Sequence, residues 1–342
     1  MSQAERPELE RWGIDGFALG ISLGGATSAA DLRHGLAWAE WADAHGLHSV
    51  WMPEMHFTAG GNTSPLLYLA AYAARTRRIR LATTSVLLPI HHPMRIAQEV
   101  AALDHLSRGR VILGLGRGFR APLFAAFGID PATKRRRFDE SLDLILASWR
   151  GETVSLDGTC FADGAGPGEF AAAIPYQRPA PPLAVAAFGR KGLAQAARRG
   201  LPYLASPMEP FDQIRSNLAF HRERLPEAFD AGRHVVPVMR TVYVSEDAAH
   251  ARRVVDALAA ESRIPKHGAK LPAAIARAFE APLADRVVVG SGAEVTDRLA
   301  RYREDLGANL LIVRPVLREV PTEAARESLE RLAGEILPSL GR

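Results

Sequence analysis

Short runs of consecutive apolar, β-favouring residues alternate along this chain with longer stretches in which apolar positions recur every three or four residues. The first pattern marks a strand buried on both faces and the second a helix buried along one stripe. Their alternation predicts βα units around a parallel sheet. The first strand is expected at 16–22, GFALGIS. Ser28, followed three residues later by Asp31, reads as an N-cap, and the helix it opens runs through DLRHGLAWAEWADAH to a stop at Gly46. A second strand, LHSVWM, leads to a helix over 64–76. RIRLATTSVLLP is then a long third run closed by Pro89, with Pro93 opening the next helix. That helix is read with Ile96, Val100, Leu103 and Leu106 on one face and ends at Gly109. RVILGLGRG, 110–118, is the fourth strand, and KRRRFDESLDLILASWRG is the helix after it, with Phe138, Leu142, Ile145 and Trp149 inward.

The rhythm lapses between Gly151 and Pro182, where DGTCFADGAGPGEF and IPYQRPAPP are rich in Gly and Pro. It resumes with PLAVAAF. The segment 151–182 therefore reads as an insertion into one domain spanning 1–342, with DGAGPGEF as a candidate lid. Strands near 183–188, 201–206, 236–244 and 309–315 bring the total to eight, with a capping box at Ser291 and Glu294 and a last helix over 322–337 starting at Thr322. The expected fold is a (β/α)8 TIM barrel with a Gly/Pro-rich insertion after the fourth βα unit. A doubly wound sheet would carry G-x-G-x-x-G after its first strand, and LGISLGGATS lacks that order.

Composition narrows the class. The chain has 342 residues, 47% hydrophobic and 23% charged, enough to bury a large core. Cys160 is the single cysteine and cannot form an internal disulfide, and MSQAERPELERWG has no apolar signal core, so a cytoplasmic address is expected. No run reaches the roughly 18 apolar residues of a membrane span, so no membrane association is expected. The formal charge of +4 is spread along the chain apart from KRRR at 134–137, and there is no zinc, helix-turn-helix or RNP-type signature, so no nucleic-acid partner is expected.

A barrel of this kind places its chemistry at the C-terminal ends of the strands. There the second strand runs into Glu54, Met55 and His56. An imidazole suits acid–base work near neutral pH, and equally suits bracing a loop. At the fourth exit, GLGRGF sets Arg117 between glycines, and Arg135 opens the helix that follows. FGRKG, 188–192, follows the fifth strand: Gly189 and Gly192 free the backbone at a helix N-terminus, and Arg190 and Lys191 add charge. Three anion-friendly exits favour a phosphorylated ligand. His91 and His92 lie on another exit loop, with a pocket-lining or a structural role. No carboxylate of metal-ligand spacing joins them, so no metal is expected. Asp104 reads as a structural hydrogen-bonding group and Cys160 as incidental.

The run TTSVLLPIHHPMRIAQEVAALDHLSRGRVILGLGRGF, 83–119, together with SVWMPEMHF and QRPAPPLAVAAFGRKGLAQAARRGLPYL, resembles the bacterial luciferase-like flavin monooxygenases in order and spacing. The resemblance implies a barrel that binds FMN at the strand ends, often as a homodimer. It implies phosphate contacts from Arg117, the backbone at Phe119, and Arg135, with Phe188, Gly189 and Gly192 on the remaining phosphate loop. Luciferase has acidic and hydroxyl side chains on that loop where this chain has Arg190 and Lys191 as substitutes. It further implies a non-proline cis peptide between Thr84 and Ser85 beneath the flavin ring.

Luciferase carries Glu-His-His-Phe where this chain has Glu54, Met55, His56 and Phe57. The first of its histidines is catalytic and the second mainly structural. Met55 takes no proton, so that step does not transfer. Three explanations stand: His56 turned inward to act, flavin chemistry without a protein base, or a flavin-binding relative with little catalysis. The implied enzyme takes reduced FMN from a separate flavin reductase and uses O2, through a flavin peroxide, to oxidise a small organic substrate. Met55 would wall its pocket beside Glu54, His91 and His92. One alternative is an F420-dependent oxidoreductase transferring hydride, since Arg190 and Lys191 suit the phosphate and acidic tail of F420. The other is a non-catalytic flavin-binding subunit, in which a missing histidine needs no replacement.

Overall fold

The computed structural model describes residues 8–24, 28–58, 60–162, 173–227, 234–262 and 273–341. Its strands are β1 (Ala18–Ser22), β2 (Ser49–Met52), β3 (Arg80–Thr83), β4 (Val86–Leu87), β5 (Val111–Gly116), β6 (Leu183–Ala186), β7 (Tyr203–Leu204), β8 (Pro237–Val244), β9 (Val287–Gly290) and β10 (Leu310–Val313). All pairings are parallel, in the order β7-β6-β5-β3-β2-β1-β10-β8-β9, with β4 on β5. A bridge between Ala205 and Val238 ties the end of β7 to β8. The path through β1, β2, β3, β5, β6, β7, β8 and β10 thus returns on itself, and all strand C-termini open on one face.

Period-two alternation within each strand builds two cores. Trp51, Ala82, Ile112, Ala184, Leu204, Leu310 and Ile312 pack together inside the ring, joined by Trp12 and Ile14 from the N-terminal segment. Their neighbours Val50, Leu81, Val111, Leu113, Val185, Leu311 and Val313 face outward against the helices. The helix Pro93–Ser107 packs between the helices Pro65–Arg75 and Lys134–Arg150. On the last of these, Phe138, Leu142, Ile145 and Trp149 are all buried, as their spacing requires. Capping boxes close at Ser28 with Asp31 and at Ser291 with Glu294.

Several elements depart from the sequence reading. The long third run is two strands, β3 and β4, which both pair with β5; the peptide Thr84–Ser85 between them is cis, as the resemblance implies. A further strand, β9, pairs with the C-terminal half of β8, Thr241–Val244. Its short valine run abuts the Ser291 cap, in a stretch where the sequence predicts no strand. Leu106 is 67% exposed. The buried face of its helix runs Ile96, Val100, Leu103 and Ser107, because Ser107 Oγ donates to the Asp104 carbonyl and accepts the Arg110 N–H, which draws the helix end inward. The last α-helix is Thr322–Arg331, followed by a π-helical turn Leu332–Ile336 and a short helix Leu337–Leu340. Asp104 is the structural group expected, accepting from the backbone and side-chain N–H groups of Gln177 at 2.7 and 2.8 Å. DGAGPGEF, the candidate lid, lies outside the described residues.

The approach of β3 to β5 depends on glycine. Thr83 Oγ1 donates to the Gly114 carbonyl at 2.7 Å and accepts its N–H at 2.9 Å, while a Cβ at Gly114 would lie 1.9 Å from the Thr83 carbonyl oxygen. Because that contact is backbone, no rotamer relieves it. Gly114→Ala should cost about 1–3 kcal/mol or more, read as a fall in the urea midpoint. Gly334→Ala, whose added Cβ meets nothing within 4 Å, should be neutral or gain up to about 1 kcal/mol. Equal midpoints for the two variants would refute this account of the β3–β5 contact.

Candidate functional site

Two residues beyond β2, Glu54 is 5% exposed. A carboxylate so placed needs donors, and it has three. Oε1 accepts from His56 Nε2–H at 2.6 Å and from His91 Nε2–H at 2.7 Å, and Oε2 accepts the Leu87 N–H at 2.7 Å. Burial alone would raise the pKa of Glu54; the hydrogen bonds from the two imidazoles and the amide outweigh it and hold the carboxyl below its ordinary range. Both rings donate through Nε2, so Nδ1 of each is left for other partners, and among the described residues neither has one.

Met55 turns outward and forms an exposed apolar rim with Phe57 and Phe127. The His56 ring stands edge-on to Phe127, centroids 5.2 Å apart. His92 faces another way. Its ring is edge-on to Phe161 at 5.9 Å, and Arg137 covers that same phenyl at 4.3 Å. Burial and the charge of Arg137 lower the pKa of His92. Of the two adjacent histidines, only His91 joins Glu54. Cys160, half-buried, donates its backbone N–H to Glu140 and offers its carbonyl to Arg137, and burial followed by Glu140 raises its thiol pKa.

Between β3 and β4, Ser85 Oγ lies where a Cβ at Gly116 would come within 2.1 Å, so β5 admits it only because residue 116 is glycine. Thr84 Oγ1 is buried with no hydrogen-bond partner, an unmet polar group of the kind found where a ligand binds.

The exits of β5 and β6 concentrate positive charge. Arg117 follows β5, and its guanidinium rests against Gly192, where a Cβ would approach Nη2 to 2.1 Å. Gly192 lies in the first turn of the helix Arg190–Arg198, with Gly189 as N-cap. Lys134 and Arg135 come from the first turn of the helix Lys134–Arg150. Burial lowers the pKa of both Arg117 and Lys134, and the neighbouring cations lower them further; Asp139 opposes this at Arg117. Like charges gathered beside helix N-termini are stabilised by an anion. The Phe119 and Phe188 rings meet edge to face at 6.2 Å and join the two loops. Arg190 swings away, 4.3 Å over Phe220 and 3.5 Å from Ser216 Oγ, and Lys191 is exposed. Of the basic residues there, Arg117, Lys134 and Arg135 form the cluster. Sequence reasoning passed over Lys134, although the KRRR run was its signal.

Across the mouth, a cavity of about 270 Å³ opens where β1 and β10 end, beside the middle of β8, with Ser22, Met239, Arg240, Ile312 and Arg314 on its wall and Arg286 joining from the start of β9. In the ring order β1 and β10 stand opposite β5 and β6. Arg240 is fully buried, its Nε donating to the Tyr302 hydroxyl and its Nη2 to the Glu209 carbonyl, both at 2.6 Å. Neither Arg240 nor Arg286 carried a sequence signal. Among the described residues no cluster of three or more His, Cys, Asp or Glu is arranged for a metal ion, and no helix is long and apolar enough to cross a membrane.

The chain is similar to known monooxygenases in sequence and fold. The chain is 27% identical over 320 residues to the oxygenase component of the flavin-dependent trigonelline monooxygenase of Acinetobacter baylyi, covering 87% of each chain. The crystal structure of the monooxygenase RslO1 from Streptomyces bottropensis superposes with a TM-score of 0.79 at 29% identity, over 94% of this chain and 99% of that one. The oxygenating constituent of 3,6-diketocamphane monooxygenase from Pseudomonas putida, solved with FMN, shares the fold at a TM-score of 0.74 and 23% identity, over 95% and 98% of the chains. The sequence pattern of the luciferase-like monooxygenases matches residues 16–309, and the chain belongs to that family of oxidoreductases.

Proposed function

We propose that this enzyme is the oxygenase of a two-component system, taking reduced FMN from a separate flavin reductase and using O2 to oxidise a small organic substrate. The observation that carries the reading is the set of mutually repelling cations Arg117, Lys134 and Arg135 at the exits of β5 and β6. A flavin phosphate supplies the charge this cluster lacks. Reduced FMN, when bound, provides the electrons that activate oxygen.

The chain's own residues then have distinct tasks. Arg117, Lys134 and Arg135 hold the phosphate, aided by the backbone at Phe119 and the helix that begins after Gly189. Gly192 leaves room for the Arg117 guanidinium. Thr84, with its unpaired hydroxyl, and Ser85 lie between the cation cluster and Glu54 in the ring order and support the flavin ring. Glu54 orients His56 and His91 through their Nε2–H groups. His56 Nδ1 is the atom we assign to proton transfer in place of the luciferase histidine. Met55, Phe57 and Phe127 limit water at this edge of the mouth. The described flank of the insertion, Cys160 and Phe161, packs against His92 and Arg137.

Anaerobic titration with FMN, reduced FMN and F420, followed by admission of O2, tests the reading. Tight binding of reduced FMN with oxygen consumption is expected, and selectivity for F420 without oxygen uptake would replace it with hydride transfer. Arg117→Ala should weaken FMN binding by about 1.5–3 kcal/mol, measured by flavin fluorescence; unchanged affinity removes Arg117 from the site. His56→Ala should lower turnover about 10²-fold or more with little change in FMN affinity, and retained turnover assigns His56 to structure.

Glu54→Gln should destabilise the fold by about 1–3 kcal/mol near neutral pH, because an amide cannot accept three hydrogen bonds in this geometry. The wild-type carboxyl is held low when folded, so its contribution is present above the unfolded value of about 4.3 and is lost as pH falls through the lower folded value. Urea midpoints of the two proteins should converge on acidification. A constant gap across pH would contradict the assignment.

A further inference from the structure

Three arginines, Arg240, Arg286 and Arg314, line the cavity beside the ends of β1 and β10 and the middle of β8, against one carboxylate, Glu261. That carboxylate is already shared: it accepts from Arg314 at 3.1 Å and lies 3.5 Å from Arg318. Arg240 gives its hydrogens to neutral oxygens, the Tyr302 hydroxyl and the carbonyls of Ser206, Met239 and Glu209. Arg286 is 7% exposed, its Nε has no hydrogen-bond partner, and among the described residues no carboxylate forms an ion pair with it. Its guanidinium stands 5.4 Å over the Phe279 ring. Burial and the charge of Arg240 lower its pKa, with Asp285 acting in the opposite sense.

A buried guanidinium with an unfilled fork is costly, and a carboxylate matches it with two oxygens against two N–H groups. The neighbouring wall is apolar, built from Met208, Met239, Leu258 and Ile312. The volume of about 270 Å³ falls below the roughly 300–1,000 Å³ of most ligand pockets, which restricts the occupant to a small molecule. Resting on the oxygenase reading, we propose that this cavity is the substrate site and that the substrate is a small organic carboxylic acid. Arg286 binds its carboxylate, and its apolar body lies along the two methionines, Leu258 and Ile312.

The test begins with FMN affinity, by flavin fluorescence, for wild type, Arg286→Met and Arg286→Lys. Benzoate, cyclohexanecarboxylate and octanoate, each beside its methyl ester, are then titrated by calorimetry into each protein with and without FMN. At least one acid should bind about tenfold or more tighter than its ester. That preference should vanish in Arg286→Met and survive in part in Arg286→Lys, which keeps the charge and loses the fork, with FMN affinity the same in all three. Arg286→Gln takes the place of the methionine variant if the latter does not fold. Equal binding of acids and esters, no binding of any acid, or an acid preference retained in Arg286→Met overturns the proposal. An acid preference that depends on Arg286 in a protein that does not bind FMN supports the acid site and overturns the cofactor reading instead.

Discussion

A buried carboxylate that must find hydrogen-bond donors organises one side of the mouth. Glu54 leaves the barrel at the end of β2 and takes its donors from its own loop, from β4 and from the loop beyond β4, so three stretches of chain are held to one pair of oxygens. The cost of leaving a carboxylate unpaired in such a place exceeds what any one of these loops gains by adopting another conformation. His56 and His91 consequently do not move independently: each ring is oriented by the same oxygen. Met55 turns outward, and the carboxylate that precedes it remains fully occupied.

The opposite constraint acts at β5 and β6. There positive charges are brought together without enough negative charge to balance them, and burial makes Arg117 and Lys134 more costly. Glycine permits the crowding, since Gly192 gives way to Arg117 and Gly116 to Ser85. The parallel ring aligns the two regions on one face, with the Glu54 array on β2 and β4, the cations at β5 and β6, and the cavity at β1, β8 and β10.

Much of the scaffold was legible because local chemistry dictates it. Strand and helix periods, the caps at Ser28 and Ser291, and the glycines after β5 act over a few residues, and the elements they predict form where expected. Leu106 misled because its spacing from Leu103 is as helical as that of Ser107, and the choice between them lay in a hydrogen bond to Asp104 at the helix end. β9 was missed because its pairing with the outer half of β8, rather than its own composition, makes it a strand.

The sequence by itself determined most of the segments that become strands and helices, which face of most of them is buried, and which exits carry acid, imidazole or base. Only the tertiary structure decided that His91 reaches Glu54 while His92 turns to Phe161, that Lys134 joins Arg117 while Arg190 leaves for Phe220, and that Arg286 enters a cavity. The reason is reach. A long polar side chain at a strand exit has several directions open to it, and the partners that select one come from segments remote in the chain, brought near only when the ring closes.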